Sequence, residues 1–478
     1  MNIQSKIPST AKKICNTLHK KGFEAYICGG AIRDIIIGRE PKDFDIVSNA
    51  TPEDIEKLFP KTLPIGKAFG IITVIYNNES YEIAQMRIDG NYSDGRHPDD
   101  IFITRDIEKD LARRDFTMNA IAWCPSREII RDPYAGTMDI MDKEITFVGD
   151  ALIRIQEDKL RILRAFRFSS QIGFKIADSS LEAIQLWINE GNTFEGVSQE
   201  RISAEFSKIV TGKNAMETIK LMAEIGLLWM IIPELKDLCE EHNNEYHTEF
   251  MRDLKNISNT SILVHVLYVI KFATEHLLNR GVETETEKLL IMLAALFHDI
   301  GKPVCRETKS NGKSRYLNHD TIGAEMTFNI LTRMKFSNEI IKGVTNLVRR
   351  HMNAHDIPKI KKVHKIKRIL ASEYFDLLMI LSYCDTMGTA GNNGVPNLKD
   401  AEAFHNCVCD YISKYGKKLP TPLVTGDTLI HLGFTPGPDF KERLEKTFNY
   451  QLNGCDCKIK LISYAKGLIL KNQSWETP

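Results

Sequence analysis

The sequence predicts an α+β chain: a β-sheet part with helices over residues 1–150, then an all-α remainder to the end. Three observations carry this. Apolar, β-branched runs at Tyr26-Ile-Cys28, Gly70–Tyr76 and Tyr81–Met86 read as strands, the last two joined by a turn at Asn77-Asn-Glu-Ser80. A second β-rich stretch, Ile129–Asp132 then Ile145–Val148, closes the β-sheet part. From about residue 151 apolar residues recur at helical spacing to the end of the chain. At 478 residues several domains are expected, with boundaries at 1–150, 151–250, 251–410 and 411–478.

Residues 6–24 read as an amphipathic helix through Ile7, Ala11, Ile14 and Leu18, ending near Gly22. After the strand at Tyr26, Gly29-Gly30 turns the backbone, and Ala31–Gly38 reads as a helix closed by glycine. Asp43-Phe-Asp45 runs into a further strand at Ile46-Val47, so Asp43 and Asp45 share one side, with Phe44 buried behind them. Paired carboxylates suit Mg²⁺, and the Gly-Gly turn frees backbone N–H groups for phosphates. An isolated Asp-x-Asp is more often a solvated pair, but the coupling to Gly29-Gly30-x-x-Arg33-Asp34 singles this one out. Glu82, in the strand Tyr81–Met86, either joins the two aspartates or faces solvent.

Ser48–Asp54 looks like a helix start with Pro52 in its first turn. Residues 87–100 are polar, glycine-bearing and read as a flexible loop. Arg113, Arg114 and Asp115 precede an apolar segment, as phosphate ligands or as solvated residues of a capped helix. Asp150–Phe168 reads as one helix on which Asp158, Arg161, Arg164 and Arg167, three residues apart, fan over half the circumference. Three arginines against two acids is unbalanced for a salt-bridged surface helix. Residues 198–232 hold two more helices broken at Gly212. Downstream, Glu287–Ile300 is an almost wholly apolar helix ending in His298-Asp299, a costly buried pair unless partnered or metal-bound. His265, His319, His351 and Asp385 sit on or beside other apolar helices. Lys359–Arg368 is the strongest basic run, and Gly426–Pro438 is a capped helix with a Pro/Gly turn.

Composition narrows the class. With 63 basic and 63 acidic residues the net charge is zero, so any RNA contact must come from local patches. No apolar run of membrane-spanning length and no signal-peptide core is read at the start, so a cytoplasmic chain with no membrane partner is expected. Ten scattered cysteines, among them Cys28, Cys124 and Cys384 in apolar runs, read as reduced thiols. Cys407-x-Cys409 and Cys455-x-Cys457 lack zinc-knuckle spacing.

The ordered motifs Gly29–Asp34 with Asp43–Ile46, Arg113–Ala120, Asp132–Ile140, Gln156–Phe168 and Gln199–Ile209 resemble those of the nucleotidyltransferase superfamily. The resemblance lies in the branch of bacterial CCA-adding enzymes and poly(A) polymerases. His298–Lys302 resembles an HD phosphohydrolase segment, and Gly426–Pro438 the C-terminal segment of bacterial CCA-adding enzymes. The resemblance implies a nucleotidyltransferase head, helical neck and body, and an HD-type tail. It makes Asp43 and Asp45 the Mg²⁺ ligands and Gly29, Gly30, Arg33, Arg114, Arg164 and Arg167 triphosphate ligands, while Glu82 stands with the two aspartates as a catalytic candidate from its place in the strand. Asp158 and Arg161 would read the base edge of CTP and ATP, with tRNA as acceptor. His265, His298, Asp299 and Asp385 would hold a second divalent metal at the HD site. The family departs from this chain at Lys159, where many members carry proline. Alternatives are a poly(A) polymerase, an A-adding enzyme, or an HD phosphohydrolase with a degenerate head. The motifs do not give the oligomeric state.

Overall fold

Strand β1 (Ala25–Cys28) is buried along its whole length and is the axis of the N-terminal sheet. Its neighbours are β2 (Ile46–Ser48), β3 (Thr62–Leu63), β4 (Ile71–Tyr76) and β5 (Glu79–Gln85), with β8 (Ala122–Cys124) and β9 (Ile129–Arg131) on the other side. The spatial order is β3-β4-β5-β2-β1-β8-β9, antiparallel except for the parallel pair β2–β5. Ile14 and Leu18 of the helix Ser9–Lys20 are buried with Ile27, Ile46, Ile72 and Ile83 of the sheet.

The computed structural model describes residues 3–90, 92, 100–240, 261–280, 284–310, 314–355, 357–389 and 397–468. They form two units, Met1–Pro233 with Arg333–Phe336, and Glu234–Thr332 with Ser337–Pro478.

Local chemistry sets the elements of the first unit. Gly38, at φ 85°, closes the helix Gly30–Ile37 in the left-handed conformation that glycine adopts freely. A reciprocal capping box between Thr51 and Asp54 starts the helix Pro52–Leu58. The β4–β5 turn is tighter than expected. Asn77 and Asn78 alone form it, at φ 51° and 63°, a two-residue geometry that asparagine tolerates, and Glu79 and Ser80 join the strand.

Four other expectations are revised. The loop 87–100 opens and closes as a ribbon, β6 (Arg87–Asp89) antiparallel to β7 (Ile101–Ile103), while residues 91 and 93–99 lie outside the described residues. The stretch 129–148 is interrupted by a helix, Gly136–Asp142, and β10 (Glu144–Ile145) pairs with β11 (Lys175–Ile176) rather than with the main sheet. The helix expected over Asp150–Phe168 is two helices, Ala151–Glu157 and Leu160–Ile172. Asp158 is extended there (φ −150°) and its carboxylate accepts the Leu160 N–H, satisfying a donor that a continuous helix would have used. The later chain also holds a ribbon, β12 (Arg306–Thr308) with β13 (Ser314–Tyr316).

The second unit is helical. Ile262–Arg280, Glu285–Phe297, Asn338–His355 and Phe375–Gly388 pack on one another, and a smaller core of Val424, Leu429, Leu461 and Ala465 lies under the tail helices. One stretch, Ile262–Asn279, is long and apolar enough to cross a membrane, against the sequence expectation, but 56% of it is buried among the other helices.

Gly136 marks where the head is least tolerant. A Cβ there would lie 2.1 Å from the Thr117 carbonyl oxygen, which belongs to the turn Thr117–Asn119 beside the site described next. Gly136→Ala should therefore lower stability by about 1–3 kcal/mol through overpacking, read as a shifted urea midpoint. An unchanged midpoint would show that the turn yields without cost.

Candidate functional site

Gly29 ends β1 at φ 72° and ψ −131°, and a Cβ on it would come within 2.9 Å of Arg114 Nη1. The positive φ requires glycine, and the missing side chain leaves the guanidinium of Arg114 its place against the turn. The turn carries β1 away from β2, so the ladder ends with the Cys28 N–H donating to the Asp45 carbonyl (3.1 Å). Asp43 and Asp45 consequently precede β2 and are exposed, and Phe44 is half-buried rather than buried. The parallel register Ile46↔Ile83 sets Glu82 level with Asp45. Loss of hydration, then the charges of Asp43 and Glu82, raise the Asp45 carboxyl above the usual carboxylate range. Such crowding is relieved by a cation, and carboxylate oxygens are the donor type that a hard divalent metal takes.

A cationic wall faces this edge across a cavity of about 510 Å³. Arg33 donates to Asn119 Oδ1 (2.7 Å) and pairs with Asp34 (2.8 Å). Arg114 donates to Cys28 Sγ (2.9 Å) and pairs with buried Asp110 (3.3 Å). Arg164 donates through Nε to Asp115 (2.8 Å), and Arg167 pairs with Glu205 (2.6 Å). The guanidinium carbons of Arg167 and Arg33 lie 4.0 and 4.9 Å from the centre of the Phe168 ring. Burial would raise the Asp115 carboxyl, but Arg164 and the hydrogen bonds from Asn119, Arg164 and the Phe116 N–H hold it at about 2.

Asp158 and Arg161 line the same cavity. One Asp158 oxygen accepts the Leu160 N–H (3.1 Å), the other accepts from Arg201 Nη2 (2.8 Å). Arg161 is buried; it donates to the carbonyls of Arg154 and Arg113 (both 3.1 Å) and to Glu157. Of the expected residues, Gly29, Gly30, Arg33, Asp45, Arg114, Asp158, Arg161, Arg164 and Arg167 meet in one cavity, while Asp43 and Glu82 act on it through Asp45. Arg201, Phe168 and Glu205 were not expected. Their one signal was membership of named motifs, Gln199–Ile209 for Arg201 and Glu205 and Gln156–Phe168 for Phe168.

The second unit holds a separate cluster. His265 Nε2 lies 3.1 Å from His298 Nε2 and 3.0 Å from an Asp385 oxygen, and His319 Nε2 lies 3.2 Å from His351 Nε2. Asp299 links the two pairs, Oδ2 at 3.3 Å from His298 and Oδ1 at 3.6 Å from His319. Each Nδ1 faces a backbone carbonyl, of Gly388, Ala295, Tyr316 and Val348 respectively, which orients Nε2 toward the centre. Burial, then the His298 charge, pulls His351 down to about 4; burial would also lower His298, but Asp299 lifts it to about 8. Buried nitrogen lone pairs facing one another around a carboxylate suit a divalent metal. His265, His298, Asp299 and Asp385 converge as expected; His319 and His351 join them, although the motif resemblance had not included them.

Residues 25–146 match the family described as poly A polymerase head domain, 173–239 that of a probable RNA and SrmB-binding site of polymerase A, and 262–387 the HD domain. The chain is 36% identical over 291 residues to the CCA-adding enzyme of Anoxybacillus flavithermus, spanning 60% of this chain and 70% of that one. It is 40% identical to that of Geobacillus sp. over 224 residues, 47% of this chain and about half (54%) of the relative. Its fold matches the Bacillus stearothermophilus CCA-adding enzyme in complex with CTP at TM-score 0.65, 23% identity, over 96% of this chain and 97% of that one. A CCA-adding enzyme complex with ATP matches at TM-score 0.62 and 17% identity, over 96% and 95%.

The Asp115–Arg164 pair makes an acid-side prediction. The folded carboxyl titrates at about 2 and an unfolded one near 3.9, so the pair contributes above about pH 4 and its contribution is lost as pH falls toward 2. Asp115→Asn should cost about 1–3 kcal/mol at pH 7 and flatten that acid limb. Thermal unfolding from pH 7 to pH 2.5 measures both; an unaltered limb would assign the acid sensitivity to other carboxylates.

Proposed function

Because the chain belongs to the CCA-adding enzyme family, we propose that it adds or repairs the 3′-terminal CCA of tRNA from CTP and ATP, releasing pyrophosphate. The observation that carries this is the single cavity in which an acidic edge at Asp45, an arginine wall and the Asp158–Arg161 pair meet. In the reaction the tRNA 3′-hydroxyl oxygen bonds to the α-phosphorus, the bond from that phosphorus to pyrophosphate breaks, and the hydroxyl proton is lost to solvent. Arg33, Arg114, Arg164 and Arg167 offset the triphosphate charge and hold it in line for attack. Asp43 and Asp45, with Glu82 beside them, would hold Mg²⁺, which lowers the hydroxyl's pKa and steadies the leaving charge. Asp158 accepts from the exocyclic amine shared by cytosine and adenine, and Arg161 donates to a ring nitrogen or carbonyl. All ten cysteines are free thiols, in keeping with a reducing cytoplasm.

A second activity is proposed for the histidine cluster, a divalent-metal-dependent phosphohydrolase held by His265, His298, Asp299 and Asp385. The supporting observation is the set of inward Nε2 atoms around Asp299, each fixed by its own carbonyl.

The deciding experiment supplies tRNA lacking its 3′ end with CTP, ATP or both, and sequences the products. CCA ends require both nucleotides; long A tails would instead identify a poly(A) polymerase, and a single A an A-adding enzyme. Asp43→Ala or Asp45→Ala should leave less than a few per cent of turnover with tRNA binding nearly intact, by filter binding alongside incorporation. Arg164→Ala should weaken CTP and ATP alike. The double variant His298→Ala, Asp299→Ala should keep CCA addition and lose phosphohydrolase activity; loss of both without unfolding would contradict two separate sites.

A further inference from the structure

We infer that Arg201 is the positioning residue that sets nucleotide choice by holding the Asp158 carboxylate in its base-reading orientation. This rests on the proposed nucleotide transfer and gives a role to a residue of the motif Gln199–Ile209 to which the sequence reading assigned none. Asp158 lies in the break between two helices, at φ −150° and ψ 102°; its N–H donates to the Arg154 carbonyl (3.4 Å) and its carbonyl accepts the Arg161 N–H (2.9 Å), so the backbone is tied while the side chain remains to be fixed. A carboxylate on such a joint would sample several orientations about its side-chain bonds. Two contacts stop this. The Leu160 N–H holds Oδ1 at 3.1 Å, and Arg201 Nη2 holds Oδ2 at 2.8 Å. The first comes from the chain's next helix; the second comes from the first turn of Gln199–Val210, which packs along Leu160–Ile172. Bonds from two elements fix the plane of the carboxylate, not merely its place.

Each carboxylate oxygen has two acceptor sites, so the two contacts leave capacity for an incoming amine. Cytosine and adenine present an amine at that edge, whereas uracil and guanine present a carbonyl oxygen, which a fixed carboxylate repels. Arg161 has a counterpart arrangement, Glu157 and two carbonyls, but those partners belong to its own helix pair and to the preceding head segment. Of the two base-reading residues, Asp158 alone is held by a side chain from the helix Gln199–Val210. A partly exposed ion pair of this kind, with side chains 25% and 18% exposed, contributes little to stability. Its consequence is directional.

Steady-state kinetics with full-length protein, tRNA ending in CC or lacking CCA, and each of CTP, UTP, ATP and GTP test this. Arg201→Ala should lower the CTP/UTP and ATP/GTP ratios of kcat/KM by about tenfold, with Arg201→Lys restoring part of the loss. The double variant Arg201→Ala, Asp158→Ala should be no less selective than Asp158→Ala alone, since Arg201 acts through that carboxylate. Equal losses on all four nucleotides would make Arg201 a phosphate ligand, and additive losses in the double variant would make it an independent contact; either overturns the inference. If Arg201→Ala proves unstable by circular dichroism, Arg201→Lys and Arg201→Gln carry the same comparison. A wild-type protein that adds no nucleotide would overturn the proposed function itself, whereas an active wild type with an unmoved Arg201→Ala ratio overturns this assignment alone.

Discussion

Charge pairing is the constraint on which the candidate site depends. Seven arginines line one cavity, and like charges at such density would force it open. Each is paired with a carboxylate. Arg113 and Arg114 share buried Asp110, while Arg33, Arg161, Arg164, Arg167 and Arg201 pair with Asp34, Glu157, Asp115, Glu205 and Asp158. The partners come from the head, the helix break and the helix Gln199–Val210, so the wall is assembled only when these elements are all in place. A polyanion entering the cavity therefore meets guanidiniums already oriented and does not have to order them.

What was legible in the sequence was backbone chemistry and buried apolar pattern. Gly29-Gly30 could be read because only glycine takes a positive φ at so close an approach to Arg114. β1, β4 and β5 were legible because their apolar residues are those that the sheet buries. The helix break at Asp158-Lys159 was not, because nothing in the segment is a helix breaker. It arises from competition between a side-chain cap and a helical hydrogen bond, which has no periodic trace. The helix Gly136–Asp142 was likewise hidden between two β-rich runs.

Arg201 and Glu205, which the structure adds, and His319 and His351, whose convergence it shows, share a different cause. Arg201, Glu205, His319 and His351 are ordinary when met one at a time, and their function depends on partners far away in sequence. His319 and His351 are 32 residues apart and meet through helix packing alone. The Nδ1 atoms of His298, His319 and His351 each face the carbonyl three residues upstream, so the ring orientation is set by the local backbone.

The joint at Asp158 separates two rods, Ala151–Glu157 and Leu160–Ile172, whose inner faces carry the fully buried Ile155 and Leu163. An acid mounted at the vertex of two rods moves with the angle between them, as a pointer moves with its hinge. On the proposed reading of Asp158, substrate preference can therefore drift through core residues that never meet a nucleotide, and two chains with identical cavity linings need not share one specificity.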